Sequence, residues 1–192
     1  VLRHPALWYG LLAMGWALTV NQVFNTVLQP HQKVRVQLLL GQIDQPNAAG
    51  YQTAQSLIAI GSGGFMGKGY MQGTQTKLNF VPAQTTDYIF GTVGEEWGFL
   101  GSFVVLLAFA GLIGRILYLA ERQKEAFSRI YGFGIASILL IHFLVNIGMT
   151  LGLVPVIGIP LPFFSYGGSS LWAFTLMLFI FLRLDSQRWN TL

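Results

Sequence analysis

Apolar residues dominate four stretches of this chain, at 6–28, 98–119, 130–153 and 167–184. Each approaches the roughly 20 residues that a helix needs to cross about 30 Å of hydrocarbon. Lipid offers backbone N–H and C=O groups no partner, so each stretch is predicted to be helical. Between the first two lies a long segment, 29–97, too polar and too interrupted to span. Within it, 34–43 and 51–60 are apolar enough for short helices lying at the interface. GSGGFMGKGYMQGTQ, at 61–75, reads as a glycine-rich loop, and 87–96 as a helical turn or two leading into the second span. The pattern therefore predicts an all-α integral membrane fold. One membrane domain over 1–192 has four transmembrane helices and a long loop carrying short interfacial helices.

Composition agrees with that pattern. Of the 192 residues 53% are hydrophobic and 9% charged, against about a quarter charged in soluble domains. The absence of cysteine excludes thiol catalysis, disulfides and thiolate metal sites. A net charge of +4 is modest, and no basic patch with interleaved aromatics points to nucleic acid. The placement of charge is more informative. Arg3 precedes the first span, Arg115, Arg122, Lys124 and Arg129 surround the loop after the second, and Arg183 and Arg188 close the fourth. Basic flanks mark the cytoplasmic side. Both chain ends are then cytoplasmic, and 29–97 is extracytoplasmic. The first residue is Val1 rather than Met, and the first apolar run is too long for a signal peptide. The chain is expected to be the back half of a longer protein.

Three of the seven carboxylates, Asp87, Glu95 and Glu96, stand just before the second span. Asp87 has two readings. It caps a helix, worth about 1 kcal/mol, or it serves beside a polar cavity as a general base or a ligand for a divalent cation. Glu95 lies eight residues further on, about 12 Å along a helix axis. That is too far for a glycosidase-type pair, which needs about 5–9 Å. Glu95 and Glu96 therefore read as structural or positioning groups.

Lys33, Arg35, Lys68 and Lys77 are either interface anchors or recognise a pyrophosphate. Lys68 sits in GFMGKGY, where exposed N–H groups could form an anion-binding nest, although the Walker pattern is absent. His142, Asn146 and Thr150 form a polar stripe at i, i+4, i+8, which interhelical hydrogen bonding explains. Asn21, Gln22 and Asn25 argue against full lipid exposure of the first span. VPVIGIPLPFFSYGGSS, at 154–170, contains three prolines and cannot be a regular helix. It reads either as a re-entrant brace or as one wall of a cavity beside Asp87.

Two stretches carry a family likeness. LPFFSYGGSS at 161–170 resembles the signature of the SEDS proteins, the RodA, FtsW and SpoVE group. Residues 51–102 are similar to that family's long extracytoplasmic loop, and the GKG…GTQT wording is nearer RodA than FtsW. The resemblance implies that the chain forms the last four of ten membrane spans in the bacterial inner (cytoplasmic) membrane. It implies a peptidoglycan glycosyltransferase that joins the saccharide units of lipid II during cell elongation, with a class B penicillin-binding protein as transpeptidase partner. Asp87 matches the family's essential aspartate. Where the common family wording has Glu and His, this chain has Ala83 and Thr85. A divalent cation, Mg²⁺ or Mn²⁺, would be the only cofactor. Substrate contacts are expected from Arg35, Lys68, Gln75, Lys77, Thr86, Ser165, Tyr166, Gly167 and Gly168, with Glu95, Glu96, His142 and Asn146 positioning. Two other functions fit the same features: a flippase for the lipid-linked precursor, or a non-enzymatic scaffold for the transpeptidase. The piece alone is expected to be inactive.

Overall fold

The computed structural model describes residues 29–40, 48–78, 80 and 83–187, with positions 15, 16, 19 and 22. It divides into two units, Val1–Gln45 and Pro46–Leu192. In the first unit, α1 runs over Pro30–Leu39. Proline suits the first helical position because its missing N–H would be unsatisfied there anyway. The Gln32 side chain accepts from the Gln29 N–H at 3.0 Å, half of a capping box. The predicted first span, with Arg3, Asn21 and Asn25, lies outside the described residues apart from four positions.

The second unit holds α2 (Ala48–Gly63), α3 (Thr74–Lys77), α4 (Ile89–Glu121), α5 (Ala126–Thr150) and α6 (Gly168–Gln187). All described elements are helical. Three helices, α4, α5 and α6, are long and apolar enough to cross a membrane. α5 stops three residues short of the expected 153 because Gly152 takes a left-handed φ of +72°. The N–H of Leu153 bonds to the Gly148 carbonyl and that of Gly152 to Met149, the pairing of a Schellman cap.

The lateral packing of the spans uses small residues. Ile113, Ile116, Leu119 and Ala120 of α4 meet Ile135, Ala136 and Leu139 of α5, and Phe174 and Phe181 of α6. A Cβ on Gly132 would lie 2.6 Å from the Phe181 ring and 2.7 Å from the Ala120 methyl. Glycine at that position therefore permits the approach of all three helices. Outside this seam, large side chains such as Phe103, Leu107, Ile141, Leu144 and Phe179 are exposed, as expected where lipid or further helices take the place of water. At the end bearing the basic residues, Arg122 and Gln123 both donate to the Asp185 carboxylate, at 2.9 and 2.6 Å. This contact ties α6 to the turn between α4 and α5.

α4 is not continuous. At Gly98 the backbone takes φ +65° and ψ −158°, a region essentially restricted to glycine. Such a break leaves carbonyls without donors on one side and N–H groups without acceptors on the other. The glycine-rich loop supplies both sets. The Gly64 and Phe65 carbonyls accept from Phe99 and Leu100 at 2.9 and 3.2 Å, while the Lys68 and Gly69 N–H groups donate to the Glu95 and Glu96 carbonyls, both at 3.0 Å. A Cβ on Gly98 would lie 2.3 Å from the Gly67 nitrogen. Gly98→Ala is therefore expected to destabilise the unit by about 2 kcal/mol through strain and displacement of this loop. Thermal unfolding in detergent reads the change, and an unaltered midpoint would count against the account of the break.

Candidate functional site

The short turn that carries Asp87 begins at Ala83, whose φ is +57°. The Ala83 carbonyl then accepts from the N–H groups of Thr86 and Asp87 at 3.2 and 3.0 Å. Tyr88 follows, 1% exposed, with its hydroxyl 3.2 Å from the Thr53 hydroxyl of α2. The turn is thus closed on itself and anchored by an aromatic ring before α4 starts at Ile89.

Distant parts of the chain hold the same turn by its backbone. Three successive carbonyls accept hydrogen bonds. Thr85 accepts from the Tyr166 N–H at 2.9 Å. Thr86 accepts from the Ser165 hydroxyl. Asp87 accepts from Asn146 Nδ2 at 3.1 Å. Asn146 is 0% exposed and also donates to the Ile159 carbonyl at 2.8 Å. Ser165 Oγ in turn accepts from the Leu161 N–H at 2.8 Å. The proline-rich loop after α5 is therefore wrapped onto the Asp87 turn, and α5 braces both.

The Asp87 carboxylate is half-buried. Its Oδ2 would be 3.7 Å from a Cβ on Gly158, a residue of the same loop with φ +79°. The ion pairs Lys68–Glu95 and Arg122–Asp185 leave it out. Among the described residues no three His, Asp or Glu groups converge as a metal site would require. One carboxylate would supply only part of the several oxygens that a divalent cation needs.

Glu95 is the most enclosed of the predicted acids, 0% exposed. Burial disfavours a carboxylate, so its partners must compensate. Lys68 Nζ donates to Oε1 at 2.8 Å, the Gln75 N–H to Oε1 at 2.9 Å, and the Thr76 N–H to Oε2 at 2.9 Å. The last two are free N–H groups at the start of α3, which has no side-chain cap of its own. Glu95 thus caps α3 from a different helix. A Cβ on Gly73 would come within 2.7 Å of the carboxylate, so glycine gives it access.

The other predicted residues are dispersed. Lys68 is held by Glu95, and its N–H and that of Gly69 serve the helix break rather than a nest open to an anion. The Gln75 side-chain oxygen is buried without a hydrogen-bond partner. Lys77 is exposed in the last turn of α3. Thr86 donates back to the Ala83 carbonyl at 3.2 Å. Tyr166 is 80% exposed, so its ring is open to solvent or ligand while its N–H is used. Gly167 accepts from Ser170 at 2.9 Å, and the space at Gly168 is open. Glu96 is half-buried. Arg35 lies on α1 in the other unit, and its side chain is outside the described residues. Of the polar stripe, Asn146 and Thr150 are fully buried. His142 bonds to the Ile138 carbonyl at 2.9 Å and sets its ring edge against Phe174.

Three contributors escaped the sequence reading. Thr53 meets Tyr88, Ser56 donates to the Thr150 carbonyl at 3.3 Å, and Gly158 lies beside the Asp87 carboxylate. A signal existed for the first two. Thr53, Ser56 and Gly63 share one face of α2 at helical spacing, a small and partly polar stripe. Gly158 had no signal of its own among so many glycines.

A family model described as cell cycle protein, of the FtsW, RodA and SpoVE group, matches residues 4–190. The chain is 38% identical over 179 residues to the peptidoglycan glycosyltransferase RodA of Treponema pallidum, covering 93% of this chain and 41% of that protein. It is 45% identical over 145 residues to the peptidoglycan glycosyltransferase MrdB of Escherichia coli K12, covering 76% and 39%. The chain thus spans about two fifths of the length of these relatives. Among solved structures it is similar to a chain from a peptidoglycan synthase complex described as coordinating polymerization and crosslinking. The TM-score is 0.71 at 32% identity, over 97% of this chain and 50% of that one. A second likeness is to an Asp-to-Ala variant of the rod shape determining protein RodA of Thermus thermophilus. There the TM-score is 0.53 at 29% identity, over 81% and 54%. With nearly the whole chain matched, and with RodA proteins prominent on both lines of comparison, the protein belongs to the FtsW/RodA/SpoVE (SEDS) family and is RodA-like.

Proposed function

We propose that this chain is the carboxy-terminal part of a peptidoglycan glycosyltransferase that polymerises lipid II, with Asp87 as general base. The observation that carries the reading is the braced turn. Its carboxylate is partly open, outside the ion pairs of the described residues, and lies beside the irregular loop that carries Gly158. The names of the relatives support the reaction class. In this reading a sugar hydroxyl on one substrate attacks the anomeric carbon of another. The new C–O bond forms as the bond to undecaprenyl pyrophosphate breaks. The hydroxyl proton passes to the Asp87 carboxylate, and the leaving pyrophosphate departs with the bonding electrons. Lys77, exposed on α3, is better placed to meet phosphate charge than Lys68, whose ammonium already serves Glu95. No step is assigned to a metal. A cation near Asp87 would have to be shared with substrate phosphates.

The same proposal includes the topology. The chain supplies the last four of ten spans in the bacterial cytoplasmic membrane, with both ends inside and 29–97 outside. The solved likeness to a chain of a synthase complex supports a transpeptidase of the class B penicillin-binding type as partner. Labelled lipid II, given to the complete protein, tests the enzyme reading. Glycan strands are expected. Translocation in sealed vesicles with no polymer formed would transfer the assignment to a flippase. Loss of transpeptidase activation alone, with no polymerase activity in any preparation, would favour the scaffold.

A further inference from the structure

We propose that Ser165 and Asn146 are positioning residues that set the orientation of Asp87, and that the Ser165 hydroxyl does not contact substrate. This rests on the polymerase reading and deepens it. A serine hydroxyl has one donor and two acceptor lone pairs. In this structure its donor is directed to the Thr86 carbonyl, and it accepts from the Leu161 N–H at 2.8 Å. Ser165 is 8% exposed, so a substrate would reach it only by opening the loop. The signature serine is therefore committed to holding two backbone segments together.

Asn146 does the same from the opposite side. Its amide nitrogen joins the Asp87 carbonyl, 59 residues away in sequence, to the Ile159 carbonyl, 13 residues away. Both N–H bonds of the amide are used, and its oxygen is buried without a partner. Retaining a buried, half-satisfied amide is unfavourable, so the geometry it enforces has to supply the compensation. With the Tyr166 N–H on Thr85, three consecutive carbonyls of the turn are clamped. Their peptide planes fix the backbone at Asp87, and hence the direction of its Cα–Cβ bond. The loop contributing two of these donors also contributes Gly158, whose Cβ position lies 3.7 Å from Asp87 Oδ2. One loop thereby holds the turn and lies beside its carboxylate.

The test measures lipid II polymerisation by the complete protein. Ser165→Ala is expected to lower kcat by about 10- to 100-fold, the scale of loss from misplacing a reacting group by about 1 Å. KM should stay near wild type, the thermal midpoint should fall because the Leu161 N–H and the Thr86 carbonyl lose their partner, and Ser165→Thr should restore most of kcat and of the midpoint. Ser170→Ala is the control. It also removes a hydroxyl-to-carbonyl bond from this segment, to Gly167, but does not touch the turn, so its kcat should be unchanged. A raised KM with normal kcat in Ser165→Ala would place the hydroxyl on substrate and overturn the proposal, as would wild-type values of both. If Ser165→Ala does not fold, Asn146→Leu decides. It removes the orphaned oxygen along with both donors and leaves the Asp87 and Ile159 carbonyls unpaired, so its thermal midpoint is read beside its kcat, which should fall while KM holds. Asp87→Asn, run in parallel, separates the levels. Activity surviving there defeats the polymerase assignment of Asp87. Activity lost there but intact in both clamp variants defeats the clamp alone.

Discussion

Asp87→Asn, made in the complete protein, is expected to reduce lipid II polymerisation at least about 100-fold, the lower range for loss of a positioned general base. Asparagine keeps the shape of the side chain. It removes the charge and the ability to accept a proton at neutral pH. The backbone bonds to Ala83, Asn146, Ser165 and Tyr166 involve no Asp87 side-chain atom, or none of residue 87 at all, and survive the change. Stability should therefore be unaltered, and the thermal midpoint in detergent is the control. Full polymerisation by a well-folded Asp87→Asn protein would remove the aspartate from the chemistry.

A second substitution is expected to act almost wholly through stability. Glu95→Ala deprives Lys68 Nζ and the N–H groups of Gln75 and Thr76 of their common acceptor. Breaking a buried pair costs about 3–5 kcal/mol when the partner stays buried. The Lys68 side chain is 27% exposed and can return to water, so the lower end, about 3 kcal/mol, is the expected loss. Glu95→Gln should fall between. Its amide oxygen still accepts, but its NH₂ must face a donor. Limited proteolysis between Gly64 and Leu78 reads the loosening of the loop directly, and the thermal midpoint reads its magnitude. Lys68→Ala should cost less than Glu95→Ala, because the carboxylate retains two backbone donors. The reverse order would mean that the lysine, and not the cap on α3, is what the acid serves.

Much of the architecture was legible before any coordinates. The apolar runs anticipated α4, α5 and α6, because burial in lipid is a property each segment carries in its own side chains. The limits of those runs were less legible. The end of α5 turned on the φ of a single glycine, Gly152, and the break in α4 on that of another, Gly98. Glycine is compatible with many conformations, so its presence does not say which one the chain adopts. Glu95 illustrates the same limit chemically. Its position before the second span suggested an acid serving a helix start, yet the helix it caps is α3, earlier in the chain.

Sequence by itself determined that the described chain is helical and largely lipid-compatible, and through its quoted signatures it indicated the family to which the protein belongs. It also singled out Asp87. Only the tertiary structure decided what surrounds that aspartate. Ser165 and Thr86 are 79 residues apart, Asn146 and Asp87 59, Lys68 and Glu95 27. Hydrophobicity is additive along a helix and can be read locally. A hydrogen bond depends on two groups meeting within about 3 Å in a favourable direction, and which groups meet is set by the path of the whole chain between them.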